Sequence, residues 1–149
     1  MRDTLVPGLH TTFDYQVPAE RTVPHLLPEA AEFAAMPQVL ATGYLVGLVE
    51  WTCMQALAAH LEPSERTLGV HVDLSHDAPT PPGAIVTVTA RLATVEGRRL
   101  TFEVLARDDA AVICRGSHQR AVVDLDRFTD GLAARTPPPT SSPSDSSSA

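Results

Sequence analysis

The sequence predicts an α+β domain in which one antiparallel sheet curls around a single long, apolar helix. Residues 38–61 contain no proline and are almost wholly apolar, and Pro37 and Pro63 bracket them at positions typical of helix boundaries. Apolar and polar residues then alternate in four successive segments separated by turns. Short turns make neighbouring strands antiparallel, and a sheet with one apolar face can bury that face against such a helix.

The predicted sheet has five strands, one before the helix and four after it. The core faces of the third and fourth strands are expected to carry Ala84 to Leu92 and Leu100 to Ala106, each at alternate positions. In the second strand the alternation places Leu68, Val70, Val72, Leu74 and His76 on one face, and Gly69, His71, Asp73 and Ser75 on the other. The predicted strands are residues 9–17, 67–76, 84–95, 100–106 and 110–125, the last with a bulge at Gly116.

Residues 18–37 join the first strand to the helix and contain four prolines, so they cannot form one regular element. A short helical piece is expected over residues 28–35, carrying Phe33, with Met36 just after it. This segment is either a connector that covers one end of the core or a lid over a pocket at the start of the long helix. Long ordered connectors are often functional, and the sequence leaves both possibilities open.

The chain of 149 residues, 44% of them hydrophobic, is long enough for one domain with a substantial core, predicted over residues 1–132. Residues 133–149 are rich in proline and serine and are predicted to be a disordered tail. Cys53 and Cys114 fall within a predicted helix and strand. They are expected to be small buried residues of a reducing cytoplasm, not a disulfide.

Composition also excludes several classes of function. The net charge is −7, lysine is missing and the eleven arginines are scattered, which argues against a nucleic acid partner. The apolar run of residues 39–49 is too short to cross a bilayer, and we expect no membrane partner and no signal peptide. Tightly spaced histidines are missing, as are the motifs GxSxG and GxGxxG. We therefore expect no metal, no nucleophile elbow and no dinucleotide cofactor.

Three polar residues interrupt the predicted apolar faces: Thr42, Glu50 and His76. Thr42 and Glu50 are eight residues apart on nearly the same helix face, and His76 reaches the helix from the sheet. Free backbone N–H groups at a helix start can hold an oxyanion. Together these groups suggest an acyl-transfer site with a base or nucleophile, a proton carrier and a hydroxyl.

Each of these residues also has a purely structural interpretation. A threonine in a helix usually bonds back to its own backbone. A histidine at a strand end is often an ordinary edge residue, and a buried glutamate can simply pair with an arginine such as Arg120. Spacing alone does not choose between the two interpretations.

Several segments of the chain are distinctive, and one of them contains the motif ATG…GLxEW. They are TVPHLLPE, EFAAMPQVLATGYLVGLVEW, TLGVHVDLSH, APTPPG, VTVTARLATVEGRRL and HQRAVVDL. In these segments, over residues 6–128, the chain resembles the fluoroacetyl-CoA thioesterases, a family with the hotdog fold, and the motif is the specific part of the likeness. The resemblance implies a homodimer that hydrolyses a short acyl-CoA at sites between its subunits, with no cofactor besides the CoA of the substrate.

The resemblance also implies roles for individual residues. Thr42, Glu50 and His76 match the catalytic residues of the family, while Gly69 and Arg120 match residues that contact substrate and CoA. Phe33 is the first aromatic residue of the family's lid, but Met36 stands where fluoroacetate-selective members have a second phenylalanine. Leu40 likewise replaces an aromatic residue. Arg120, helped by Arg98 or Arg99 from a turn, is expected to meet the CoA phosphates.

Two other functions remain as alternatives. A hotdog hydratase or dehydratase would use a similar histidine and acid on an acyl thioester without releasing free CoA. A non-catalytic acyl-CoA-binding protein would bind without turnover. The sequence does not decide whether Glu50 attacks the thioester, whether it activates water, or whether Thr42 is the nucleophile.

Overall fold

The computed structural model describes residues 1–140 and shows a curled five-stranded antiparallel sheet packed against one principal helix. The predicted α+β class is confirmed. Three short 3₁₀ turns, Ala19–Arg21, Val23–His25 and Ala58–His60, flank the longer elements. The strands are β1 (His10–Gln16), β2 (Glu65–Leu74), β3 (Ile85–Glu96), β4 (Arg99–Arg107) and β5 (Val112–Asp124), and the helices are α1 (Ala31–Ala34), α2 (Thr42–Leu57) and α3 (Leu125–Ala133).

The strand order across the sheet is β1-β3-β4-β5-β2, so β1 and β2 form its two edges. The inner faces of β3 and β4 are as predicted, because alternate residues from Val86 to Leu92 and from Leu100 to Ala106 are buried. They pack with the apolar side of α2 to make the core, together with Leu45, Val49 and other helix residues. The hydrophobic alternation therefore defined the central strands correctly.

Helix α2 is shorter than the predicted stretch of residues 38–61. Residues 38–41 are extended because their backbone is engaged elsewhere: Leu40 forms a bridge with Thr22 and donates its N–H to the carbonyl of Thr80 at 2.8 Å. Ala41 is also extended, so helical geometry begins at Thr42. Among the described residues, no helix is long and apolar enough to cross a membrane.

One side of α2 is not covered within the protomer. Trp51 and Met54 are 48% and 47% exposed, and Gly43 and Gly47 lie exposed on the same side. The sheet therefore covers only part of this apolar helix within a single chain. An apolar helix with one open side has a surface suited to a further contact.

The predicted faces of β2 are wrong in its first half. A register shift between Gly69 and His71 marks a bulge, and a one-residue slip turns side chains to the opposite face. Before the bulge, Thr67 is the buried residue, and Gly69 lies opposite the inward-facing Arg120. After it, Val72 and Leu74 lie on the inner face as predicted.

Gly116 is not the site of a bulge, contrary to the prediction. It pairs in register with Leu74 on one side and Val104 on the other, and the irregularity between β4 and β5 falls beside Arg107 instead. Gly116 is required for a different reason. Its φ is +151°, and a Cβ there would overlap the carbonyl oxygen of Asp73 in β2.

Helix α3 was not predicted. Asp124 caps it by accepting a hydrogen bond from the N–H of Arg127 at 3.0 Å, and Leu125, Phe128 and Leu132 have helical spacing. Residues 134–140 contain no helix or strand. Residues 141–149 lie outside the described residues, so the disorder of the tail stays a prediction.

The two cysteines are free thiols and both are buried, as predicted. Burial raises the pKa of Cys53 to about 12 and the pKa of Cys114 to about 11. Both thiols therefore remain protonated at neutral pH and act as small core residues, because the thiolate is the reactive form of cysteine.

We expect Gly116→Ala to lower the free energy of unfolding by about 2 kcal/mol or more, since the new methyl group must displace the β2 backbone. Gly131→Ala in α3 is the matched control, because a Cβ at Gly131 meets nothing within 4 Å and alanine favours helix. Urea denaturation of both variants measures the difference. Equal stability of the two variants would contradict the close approach of β2 and β5 at Gly116.

Candidate active site

Thr42 and His76 meet at the start of α2. The hydroxyl Oγ1 of Thr42 and the Nδ1 of His76 are 2.8 Å apart. His76 follows β2, and its position is fixed because the flanking N–H groups of Ser75 and Asp77 donate to β5 carbonyls at 2.8 and 2.7 Å. The structure thus brings together two of the three residues selected from the sequence, and Thr42 bonds to His76 as the catalytic interpretation expects.

The environment of His76 favours its neutral form. Burial lowers the pKa of His76 below its usual value, while the negative charge of Asp77 partly opposes that shift. Its Nε2 is buried and has no hydrogen-bond partner in the part of the chain that the structure describes. A neutral imidazole beside a hydroxyl can accept the hydroxyl proton and later return a proton to a leaving group.

Thr42 and His76 line a cavity of about 240 Å³ whose other walls are mainly apolar. Ala41, the residue before the helix, supplies no side-chain cap, so the first N–H groups of α2 have no intrahelical partner. These groups and the positive end of the helix can polarise a carbonyl. The lining residues are Val23, Val39, Leu40, Thr42, His76, Asp77, Ala78 and Pro79.

Glu50 does not join this pair within the protomer. It lies eight residues beyond Thr42, which corresponds to about 12 Å along the helix axis. Its side chain is 41% exposed, and its Oε1 accepts from Nη1 of Arg120 at 3.4 Å. The alternative that Glu50 pairs with Arg120 is therefore what the structure shows, and the single network of Thr42, Glu50 and His76 is not formed inside one chain.

Arg120 is only 3% exposed. Its Nε donates to the hydroxyl of Thr67 and its Nη2 to the carbonyl of Thr67, both at 2.9 Å. Its Nη1 donates to Nε2 of His118 at 3.1 Å as well as to Glu50. Within one chain the guanidinium of Arg120 is thus enclosed by protein groups and holds Glu50. A contact of Arg120 with CoA stays a prediction.

The other predicted CoA contacts also have partners in the protein. Arg98 donates to Glu65 at 3.1 Å and to the carbonyl of Val122 at 2.9 Å, while Arg99 donates to Gln119 at 2.9 Å. Gly69 is needed for close approach, because a Cβ there would overlap Oε1 of Glu50. A direct contact of Gly69 with substrate stays a prediction.

The proposed lid residues lie away from Thr42 and His76. Phe33 is half-buried in α1 and Met36 is exposed, and neither lines the cavity. Two other residues of the same connecting segment lie near the start of α2. Val23 lines the cavity, and Cδ1 of Leu26 is 3.1 Å from the point where a Cβ on residue 43 would stand. Contact of Phe33 and Met36 with substrate stays a prediction.

Sequence reasoning missed His118, which is fully buried beside Arg120. The signal was present in the alternation of β5, where His118 has the same phase as the inward Cys114 and Val122. It also missed Val23 and Val39, because a cavity wall built from irregular segments has no periodic pattern. No three His, Cys, Asp or Glu side chains converge on a metal position in the described residues.

The profile of a protein family described as FlK, fluoroacetyl-CoA-specific thioesterase, matches residues 23–126. The chain belongs to this family. A fluoroacetyl-CoA thioesterase from Streptantibioticus cattleyicolor is 48% identical over 137 residues, which cover 92% of this chain and 99% of that protein. The family predicted from the sequence and the enzyme class, a thioester hydrolase, are confirmed.

Solved structures are similar to this chain in fold. The structure of the fluoroacetyl-CoA thioesterase FlK is 48% identical to this chain with a TM-score of 0.88, covering 91% of this chain and all of that one. A hot-dog-like protein from Thermanaerovibrio acidaminovorans is 20% identical with a TM-score of 0.76, and the match covers 89% and 94% of the two chains. The second likeness concerns the fold alone, and the predicted hotdog fold is confirmed.

We expect the ring of His76 to titrate below pH 6.5, because burial disfavours its charged form. The neutral form, which can accept the proton of Thr42, then persists into mildly acidic solution. Histidine ring NMR signals followed against pH measure this directly, with His76→Gln used to assign the signal. A midpoint at or above pH 6.5 would contradict the buried environment described for His76.

Proposed function

We propose that the protein is an acyl-CoA thioesterase that hydrolyses short acyl-CoA thioesters, fluoroacetyl-CoA among them, to the free acid and CoA. The observation that carries the proposal is the pair of Thr42 and His76 at the uncapped start of α2, on a cavity of about 240 Å³. This open cavity has room for a short acyl group. Membership of the family supports the thioester as substrate. The CoA belongs to the substrate, and the proposal uses no cofactor.

In the proposed reaction the thioester carbonyl lies at the free N–H groups of α2, which stabilise the negative charge that develops on its oxygen. An oxygen nucleophile attacks the carbonyl carbon, the C–S bond breaks and CoA leaves as the thiolate. When Thr42 attacks, His76 gives the thiolate the proton that it took from the Thr42 hydroxyl; in the other routes the thiolate takes the proton of the reacting water. The nucleophile is water activated by Glu50, the Glu50 carboxylate itself, or the Thr42 hydroxyl deprotonated by His76. In the last two routes water then hydrolyses the acyl-enzyme.

We further propose a homodimer in which Glu50 of one protomer completes the site of the other. Thr42 and Glu50 are about 12 Å apart along one helix, too far to serve a single thioester carbonyl. The open side of α2 bears exposed Trp51 and Met54, and the edge strand β2 exposes Val70 and Val72. Pairing two β2 edges antiparallel would place the two open helix sides face to face and cover both surfaces.

The two alternative functions give different products. A hydratase or dehydratase would release no CoA thiol, and a binding protein would show no turnover. The chemistry of Thr42 and His76 beside an oxyanion position favours hydrolysis. The proposed location is the cytoplasm, in keeping with the two buried free thiols.

We expect the purified protein to release free thiol from acetyl-CoA and fluoroacetyl-CoA, with slower release from longer acyl chains. Thr42→Ala, His76→Ala and Glu50→Gln should each lower kcat by roughly 10² to 10⁴, the usual contribution of a placed acid or base. A free-thiol assay on the four proteins measures this. Absence of thiol release from every acyl-CoA in the panel would refute the proposed function.

The same assay on mixed dimers tests the sharing of the site. Co-expressed Thr42→Ala and Glu50→Gln chains should regain about a quarter of wild-type activity, because half of the dimers are mixed and each has one intact site. Thr42→Ala mixed with His76→Ala is the control and should stay inactive, since both changes damage the same half of the site. No regain in the first mixture, with mixed dimers isolated by two different tags, would place Glu50 in the same protomer as Thr42.

A further inference from the structure

His118 occupies an unusual position for a histidine, fully buried on the inner face of β5. Both of its ring nitrogens have hydrogen-bond partners. Nδ1 lies 2.8 Å from the carbonyl oxygen of His71, and Nε2 lies 3.1 Å from Nη1 of Arg120. The reaction described above makes no use of this residue, yet it touches the arginine that holds Glu50.

The partners of His118 determine its protonation state. A guanidinium can only donate hydrogen bonds, so Nε2 must accept with its lone pair, and a carbonyl can only accept, so Nδ1 must carry the proton. The ring is therefore neutral and held in one tautomer. Burial lowers the pKa of His118 below its usual value, and the positive charge of Arg120 acts in the same direction.

We propose that His118 is a positioning residue that aims the guanidinium of Arg120 at Glu50. Nη1 of Arg120 has two N–H bonds: His118 accepts one of them, and the planar geometry of the group then directs the other toward Glu50. Thr67 accepts hydrogen bonds from Nε and Nη2 and so fixes the other edge of the planar guanidinium group. The inference rests on the proposed function, in which Glu50 takes part in hydrolysis.

The other nitrogen of His118 holds the ring against β2 and does not act on Arg120. The carbonyl of His71, which accepts from Nδ1, lies at the bulge of β2, where the register shifts between Gly69 and His71. Gly69 has no side chain and so leaves room for the Glu50 carboxylate. Cε1 of His118 is 3.2 Å from the point where a Cβ on residue 69 would stand. One buried ring thus contacts both supports of Glu50, the arginine and the bulged strand.

Two variants separate the roles of the two nitrogens. His118→Gln can place its carbonyl oxygen near the Nε2 position and accept from Arg120, while the bond to His71 is lost. His118→Asn can place its amide nitrogen near the Nδ1 position and donate to His71, while the acceptor for Arg120 is lost. Each variant keeps one of the two hydrogen bonds, so each is the control for the other.

We expect His118→Gln to keep kcat within about 3-fold of wild type and His118→Asn to lower kcat by about 10- to 100-fold, with KM little changed in both, because a misplaced catalytic group acts on the chemical step. Free-thiol kinetics and thermal melts on the same samples measure these effects. Equal losses in both variants, or losses that follow the melting temperature, would assign His118 a structural role only.

A second measurement does not depend on activity or on the folding of a variant. In wild-type protein labelled with ¹⁵N, we expect the His118 ring to show a protonated Nδ1 and an unprotonated Nε2 at neutral pH. A proton on Nε2 would overturn the inference. Wild-type protein that releases no thiol would instead refute the proposed function, and the tautomer would still decide whether His118 holds Arg120.

Discussion

The guanidinium of Arg120 places a positive charge on the inner face of the sheet, where it is almost completely shielded from water. A charge in that position is costly unless it is paired and hydrogen-bonded. Thr67, His118 and Glu50 meet this requirement from β2, β5 and α2, so three elements are held together at one point. β2 passes close to this group at Gly69, beside its bulge, where a Cβ would overlap the Glu50 carboxylate.

This arrangement divides the functional residues of one protomer into two groups. Thr42 and His76 lie at the start of α2, and Glu50 lies two turns further along, fixed beside Arg120. Because the two residues are about 12 Å apart along the helix axis, no side-chain rotation brings the Glu50 carboxylate to the Thr42 hydroxyl. A second copy, meeting the open side of α2, supplies the missing group in the proposed function.

Local sequence patterns predicted the central strands and the long helix correctly. The inner faces of β3 and β4 follow from a spacing of two residues, while α2 was predicted from a proline-free, almost wholly apolar stretch between Pro37 and Pro63. The start of α2 could not be predicted, since residues 38–41 are held extended by Thr22 and Thr80, which are distant in sequence. The bulge of β2 after Gly69 could not be predicted either, because it is a matter of register against β5, which is distant in sequence. The capped helix after Asp124 was predictable from its spacing and was missed.

The same limit applies to the site. The sequence identified Thr42 and His76 as partners, but it did not show that Arg120 turns inward, because that depends on which residue lies opposite it in β2.

The most direct test of the Glu50–Arg120 ion pair is a double-mutant cycle with Glu50→Gln and Arg120→Met, measuring the free energy of unfolding in urea. A buried arginine stabilised by Glu50 predicts that the double mutant loses less stability than the sum of the single mutants, by about 1 kcal/mol or more. Additive losses would contradict the central place of this ion pair in the structure.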